Sequence, residues 1–266
     1  MKVAAVQMVS TPDVDRNLQA AARLLAEAAG AGARLALLPE YFCLMGRRDS
    51  DKFDIAEAPG DGPIQRFLAQ QAREHRLWLI GGTVPLRAAG ADRLRNSCLV
   101  FAPDGHLAAR YDKIHLFAYD NGRESYDEGR VLEPGSECVA LQADEARVGL
   151  SVCYDLRFPE MYRALMSPPC DLLTVPSAFT HTTGAAHWQL LLRARAVENQ
   201  CYVLAAAQGG VHENGRRTWG HSLFIDPWGE VLAERAEGEG VVLGDIDAAR
   251  VADVRRQLPA LEHRSL

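Results

Sequence analysis

A layered α/β fold is what this sequence of 266 residues predicts, and three observations carry that expectation. The chain opens with a short apolar run at 3–8, an amphipathic stretch and a second apolar run at 35–38, which makes a strand–helix–strand start. Further apolar runs of strand length recur along the chain, separated by turn residues or by stretches with helical spacing. At 148–152 an apolar run ends abruptly at Cys153, and Pro159 then opens a helix-like segment through Met161, Leu165 and Met166, the pattern of a strand, an elbow and a helix.

Taken in order, Thr11-Pro12-Asp13 supplies a helix start. Leu18, Ala21, Ala22, Leu25 and Ala28 follow at helical spacing, so one face packs inward, and Gly30 and Gly32 end the helix. The strand at 35–38 stops at Pro39-Glu40. Residues 41–62 are rich in Gly, Asp and Pro and read as a loop, long enough inside a domain to suggest function. Ile64, Phe67, Leu68 and Ala72 mark a second helix. A strand is expected at 77–84, broken at Gly81-Gly82, and another at 97–101 before the turn Pro103-Asp104-Gly105 and the run to Lys113. Residues 121–129 are polar and read as loop. Beyond the elbow, 172–175 is a strand ending at Pro176-Ser177, and His187, Leu190, Leu191, Ala194 and Val197 give a third amphipathic helix. A strand at 202–207 leads into a hairpin, 223–225 and 231–233, around Asp226-Pro227-Trp228-Gly229. A last strand at 241–246 and a short helix at 248–257 complete the pattern. No linker, repeat or low-complexity stretch interrupts it, so residues 1–266 read as one domain.

Composition narrows the function classes. Hydrophobic residues are 48% and charged residues 24%, as in ordinary globular chains. With 29 Lys and Arg against 35 Asp and Glu the net charge is −6, and no basic stripe runs along a helix, so nucleic acid is not an expected partner. No apolar run reaches the ~18 residues that suggest a membrane span, and the apolar run within the first ten residues is too short for a signal peptide. The six cysteines, Cys43, Cys98, Cys138, Cys153, Cys170 and Cys201, show neither C-x-x-C pairs nor zinc spacing. His181, His187, His212 and His221 lack H-E-x-x-H geometry, so no metal site is expected. Scattered thiols in a chain without a secretion signal suit a reducing cytoplasm. Gly238-Glu239-Gly240 lacks the rest of a phosphate loop and reads as a hairpin turn. Arg193, Arg195 and Glu198 read as a solvated or interface ion-pair group.

The elbow is the feature with chemistry in it. It lifts the Cys153 thiol above the end of a strand, beside backbone N–H groups that can stabilise negative charge. The plainer alternative is a buried cysteine acting as a small hydrophobe. A free thiol has a pKa of roughly 8.5, so a nucleophilic one needs a base or a nearby cation. Glu40 closes an apolar strand as Cys153 does, and residues at the carboxyl ends of parallel strands converge on one rim. Taken alone, Glu40 also reads as a turn carboxylate, and Lys113 as a surface lysine beside Asp112.

Together, Leu37-Leu38-Pro39-Glu40-Tyr41, the run 111–117 around Lys113, and the run 151–160 around Cys153, in that order, resemble the nitrilase superfamily of carbon–nitrogen hydrolases. The resemblance extends over nearly the whole chain, through Gln7-Met8, Asn199-Gln200-Cys201-Tyr202-Val203, Trp219-Gly220-His221-Ser222 and Asp226-Pro227-Trp228-Gly229. It implies an α-β-β-α sandwich, a homodimer that stacks two of them, and a reaction without metal or organic cofactor. It further implies Glu40 as general base, Lys113 as oxyanion partner and Cys153 as nucleophile, with the Tyr154 N–H completing the oxyanion hole. A second glutamate of the family stands six residues before a Pro-Gly; Glu128 fits, six before Pro134-Gly135, and Glu124 is a nearby competitor with different spacing.

Segments 176–180, 183–188 and 192–198 resemble the deaminated glutathione amidase and ω-amidase branch. That branch implies a small linear amide bearing a carboxylate as substrate, with Tyr154, Arg157, Phe179 and Thr180 beside it. Arg157, four residues past Cys153, could hold the carboxylate bidentately, or pair structurally with Asp155 or Glu160. The alternatives are a nitrilase or another amidase or N-carbamoyl hydrolase of the same superfamily, and, from another class, a ligand-binding protein without catalysis.

Overall fold

The chain is described by a computed structural model over residues 1–88, 90 and 92–265. Its first half runs β1 (Lys2–Gln7), α1 (Val14–Gly30), β2 (Leu35–Leu37), α2 (Pro63–His75), β3 (Trp78–Ile80), β4 (Val84–Arg87), β5 (Leu94–Phe101), β6 (Leu107–Asp112), β7 (Ala118–Asp120) and β8 (Ser125–Asp127). Next come β9 (Ala140–Ala143), β10 (Ala146–Leu150), α3 (Pro159–Ala164), β11 (Leu172–Ser177), α4 (His181–Asn199) and β12 (Tyr202–Ala207). The chain continues through β13 (Gly209–Val211), β14 (Arg217–Trp219), β15 (Ser222–Ile225), β16 (Val231–Arg235), β17 (Gly240–Asp245) and α5 (Ala248–Gln257).

Two sheets carry the fold. The first has the order β17-β1-β2-β3-β5-β4, with β6 also on β5; the second is β16-β15-β12-β11-β10-β9. Alternation along β1 explains their packing. Val3 and Ala5 enter a core shared with Val148, Leu150, Leu172, Val203 and Ala205 of the second sheet. Ala4 and Val6 point the other way, into a core with Leu24, Leu25 and Ala28 of α1 and Leu68 and Ala72 of α2. On the second sheet α3 and α4 contribute Met161, Tyr162, Trp188, Leu192 and Ala196. The layers therefore read helix, sheet, sheet, helix, the expected α-β-β-α sandwich. Strands covered on both faces read as nearly continuous apolar runs, and β11 and β12 are buried at every position. The start of α1 is also as expected: the Asp13 side chain accepts from the Arg16 N–H, a cap worth about 1 kcal/mol. No helix among the described residues is long and apolar enough to cross a membrane.

Several elements differ from the sequence reading, each for a local reason. The strand expected at 77–84 is two, because the chain turns at Gly81-Gly82; β3 and β4 pair antiparallel with opposite halves of β5. Gly82 has φ of 54°, and a Cβ there would collide with the Pro39 carbonyl. The bend thus presses against the residue before Glu40. The polar stretch 121–129 includes the tip and second strand of a β7–β8 hairpin and the start of a 3₁₀ turn at Glu128–Arg130. The third amphipathic helix, α4, begins at His181, ahead of the apolar residues that signalled it. Gly238-Glu239-Gly240 is not a hairpin turn: β16 pairs with β15 and β17 with β1, so this segment carries the chain from one sheet to the other.

Candidate active site

Glu40, Lys113 and Cys153 each stand a few residues or less beyond a strand end, and the topology sends those ends to one rim. β6 runs antiparallel to β5 and β5 antiparallel to β3, so β6 ends on the same side as β2 and β3. In the second sheet β10, β11 and β12 are parallel. Met8, just past β1, pairs in parallel with Gln208, just past β12, so the carboxyl ends of both sheets lie side by side.

Lys113 joins the two carboxylates. Its Nζ donates to Glu40 Oε1 at 2.9 Å and to Glu128 Oε2 and Oε1 at 2.8 and 3.0 Å. Lys113 and Glu40 are each only 1% exposed, and charges taken out of water cost several kcal/mol unless they are paired and hydrogen-bonded. Here the remaining acceptors are filled. Asn96 Nδ2 and the Ala178 N–H each donate to Glu40 at 2.9 Å. The Tyr41 hydroxyl donates to Glu128 at 2.6 Å and the Phe117 N–H at 2.7 Å. Glu124, the competitor in the sequence, accepts instead from Thr182 Oγ1 at 3.1 Å on the surface.

The electrostatics follow from this packing. Burial works against the Lys113 charge, but Glu128 and then Glu40 outweigh it and hold the ammonium well above its usual range. Burial likewise works against the Glu128 charge, and Lys113 with the donors around it holds that carboxyl below its usual range. Burial, and then the Glu40 charge, push the Cys153 thiol well above its usual range, with Lys113 opposing. The resting thiol is thus protonated at neutral pH. The Glu40 carboxylate is the hydrogen-bond acceptor beside that thiol.

The elbow is held from beneath. Cys153 has φ of 51°, a left-handed conformation that costs energy in a residue with a side chain and persists where the surroundings fix it. Asp155, fully buried, does the fixing: it accepts from the Val152 N–H at 2.8 Å, the His115 N–H at 3.0 Å and the Tyr111 hydroxyl at 2.6 Å, and meets His115 Nδ1 at 2.7 Å. Arg195 corrects the reading of a solvated or interface pair. It is 5% exposed, donates to the Leu156 carbonyl from Nε and Nη2 at 3.1 and 2.7 Å, and reaches Glu198 at 2.8 Å from Nη1. The Tyr154 N–H, in the first turn of the 3₁₀ helix Cys153–Arg157, has no partner among the described residues.

Above Cys153 lies a narrow pocket of about 10 Å³, lined by Phe117, Tyr154, Ala178, Phe179, Thr180 and Thr183. Wider grooves of about 460 and 530 Å³ lie elsewhere on the surface, and neither is lined by a cysteine. Three of the expected substrate neighbours, Tyr154, Phe179 and Thr180, therefore share one pocket with the thiol. Arg157 stands at its edge, with its guanidinium carbon 5.3 Å from the Phe179 ring centre and 5.9 Å from that of Tyr154, and Nη1 3.3 Å from His187 Nδ1. It pairs with neither Asp155 nor Glu160, so the structural ion pair offered as its alternative role is absent. The sequence gives no role to Tyr41, Asn96 or Phe117, and offers Asp155 only as a partner for Arg157. Tyr41, Phe117 and Asp155 stand inside segments already singled out; Asn96 carries no signal in spacing.

Comparison with known proteins agrees with this geometry. A family model described as carbon-nitrogen hydrolase matches residues 2–256. The chain is 40% identical over 265 residues to a deaminated glutathione amidase of Synechocystis, covering 98% of this chain and 97% of that protein. It is 38% identical over 264 residues to omega-amidase NIT2 of Homo sapiens, covering 99% and 94%. Among solved structures, the NitFhit protein of C. elegans superposes with a TM-score of 0.90 at 36% identity, over 99% of this chain and 65% of that one. A sandwich with these strand-end residues, matched along nearly its full length, belongs to the carbon–nitrogen hydrolase family, and the chain is a hydrolase of carbon–nitrogen bonds.

Proposed function

We propose that the chain, acting as one domain, hydrolyses a small linear amide bearing a carboxylate, through a thioester on Cys153. The observation that carries this reading is the Glu40–Lys113–Glu128 network beside a protonated, pocket-facing thiol. Glu40 accepts the Cys153 proton as sulfur attacks the amide carbon. Lys113 and the Tyr154 N–H hold the oxyanion; one such donor is typically worth on the order of 2.7–4 kcal/mol. Glu40 then returns the proton to the leaving nitrogen, and later activates the water that opens the thioester. Glu128 does not touch the reacting atoms; it positions Lys113. Arg157, with no carboxylate partner among the described residues, receives the substrate's carboxylate on the acyl side, and Phe179 and Thr180 shape the pocket.

The relatives named deaminated glutathione amidase and omega-amidase support amides of 2-oxo dicarboxylic acids as the substrate class. A panel of deaminated glutathione, α-ketoglutaramate, a neutral amide of similar length and an aliphatic nitrile tests it by kcat/KM. The two carboxylate-bearing amides should lead; a neutral amide or nitrile in first place contradicts the substrate class. Six free cysteines, five of them buried, support a cytoplasmic setting. Exposed Leu190 and Val197 on α4, 68% and 49% exposed, support a homodimer through that helix, and a monomer mass by light scattering at micromolar concentration would refute it.

A further inference from the structure

Glu40 and Tyr41 are neighbours in the chain, yet both reach the Lys113–Glu128 pair. Glu40 accepts from Lys113 Nζ at 2.9 Å, and the Tyr41 hydroxyl donates to Glu128 at 2.6 Å. In a strand such neighbours point to opposite sides. They converge here because the chain turns left-handed just past β2: Tyr41 has φ of 57°. A bulky residue adopts that conformation at a cost and keeps it where the surroundings fix it. The base thus stands on an elbow of its own, distinct from the one at Cys153.

One peptide unit carries this turn, and both of its polar groups are held by buried side chains. The Glu40 carbonyl accepts from Gln208 Nε2 at 3.1 Å, and the Tyr41 N–H donates to Thr83 Oγ1 at 3.0 Å. Thr83 and Gln208 are both fully buried. Gln208 stands just past β12, and its amide can face only one way. Oε1 accepts from the Ser10 N–H at 3.0 Å, so Nε2 is turned to Ser10 Oγ, at 2.8 Å, and to the Glu40 carbonyl. Thr83 stands in the bend between β3 and β4, directly after Gly82, where a Cβ would collide with the Pro39 carbonyl. A buried hydroxyl or amide costs free energy unless it is hydrogen-bonded. Here each directs a bond to the peptide that follows the base.

We infer that Thr83 and Gln208 are positioning residues for the base: from opposite edges they fix the plane of the Glu40–Tyr41 peptide and so aim the Glu40 carboxylate at the thiol. This rests on the reading above in which Glu40 takes the Cys153 proton. Neither residue lines the pocket over the thiol, so their loss acts on the chemical step and appears in kcat rather than in KM. The peptide plane does for the base what Asp155 does for the nucleophile, with neutral groups in place of a carboxylate.

The test measures kcat and KM on the best amide of the panel above, for wild type, Thr83→Val, Thr83→Ser, Glu40→Gln and the double variant of Thr83→Val with Glu40→Gln. Thermal melting shows that each is folded at the assay temperature. Thr83→Val keeps the shape and loses the acceptor, so kcat should fall about 10–100-fold, the scale of a misplaced working group, with KM nearly unchanged. Thr83→Ser, which keeps the hydroxyl, should retain most of the turnover. Because Thr83 acts through Glu40, adding Thr83→Val to Glu40→Gln should lower kcat by no more than about twofold further. A folded Thr83→Val protein with wild-type kcat overturns the inference and leaves Glu40 as the base. It is also overturned if Thr83→Ser is as impaired as Thr83→Val, or if the double variant shows the full product of the two losses. Near-normal turnover in Glu40→Gln overturns the reading of the base and this inference with it. Should Thr83→Val not fold, Gln208→Met removes the other anchor of the same peptide, and the same kinetics, alone and with Glu40→Gln, decide in the same way.

Discussion

Lys113 meets both oxygens of Glu128, at 3.0 and 2.8 Å, while Glu124, four residues earlier in the chain, faces Thr182 on the surface. The two glutamates were close rivals by position, and only one supports the lysine. Glu128→Gln should lower kcat/KM about 10–100-fold, the usual cost of losing a partner that orients a working group. Glu124→Gln should change it less than about twofold, as surface substitutions commonly do. Parallel kinetics on the two variants decide; a damaging Glu124→Gln with a silent Glu128→Gln reverses the assignment.

The same pair sets an acid limit on stability. The folded protein holds the Glu128 carboxyl below its ordinary value of 4.5, with Lys113 outweighing burial. Its contribution is therefore fully present above pH 4.5 and lost as pH falls through the folded value. Melting temperature against pH should show wild type above Glu128→Gln near neutrality, with the gap closing below pH 4.5. A gap that widens on acidification would contradict the sign of the shift.

Glu40 is fixed by donors alone: Lys113, Asn96 and the Ala178 N–H. In Glu40→Gln one oxygen becomes an NH₂ that must face a donor, so stability falls along with activity. Loss of the base should lower turnover by about 10²–10⁴-fold. Folding by circular dichroism and amine release measured on the same sample separate the two effects. Near-normal turnover would remove Glu40 from the mechanism.

Asp155 acts on the thiol only through the backbone. Its buried carboxylate accepts from Val152, His115 and Tyr111 around the elbow. Asp155→Asn keeps the volume but sets an NH₂ against these donors, which should cost about 3 kcal/mol. Thermal unfolding should report a lowered Tm, and kcat should fall as Cys153 is released from its left-handed conformation. An unchanged Tm would mean the elbow is held by other contacts, such as Arg195 on the Leu156 carbonyl.

Much of this architecture is legible in the sequence. Strands covered on both faces are nearly continuous apolar runs, so those at 3–8, 172–175 and 202–207 stand out in the sequence. Glu40, Lys113 and Cys153 were legible as strand-end residues, and the topology accounts for their meeting. The β7–β8 and β13–β14 hairpins were not, because each strand is only three residues long and too short to show alternation. Asn96 was hidden for a different reason: it points from a strand into a polar site rather than into solvent, so no pattern sets it apart. Arg195 misled because a salt bridge three residues along a helix looks the same in sequence whether it is solvated or buried under an elbow.

The central claim is that Cys153 carries the acyl group. Its most direct test is amide turnover by Cys153→Ala, with circular dichroism and thermal melting confirming the fold. The substitution removes one sulfur from a site that is 7% exposed, so the protein should fold as wild type. Release of amine or ammonia should drop by at least about 10⁴-fold, the scale of losing a nucleophile. A folded Cys153→Ala protein that retains substantial turnover would contradict the thioester mechanism.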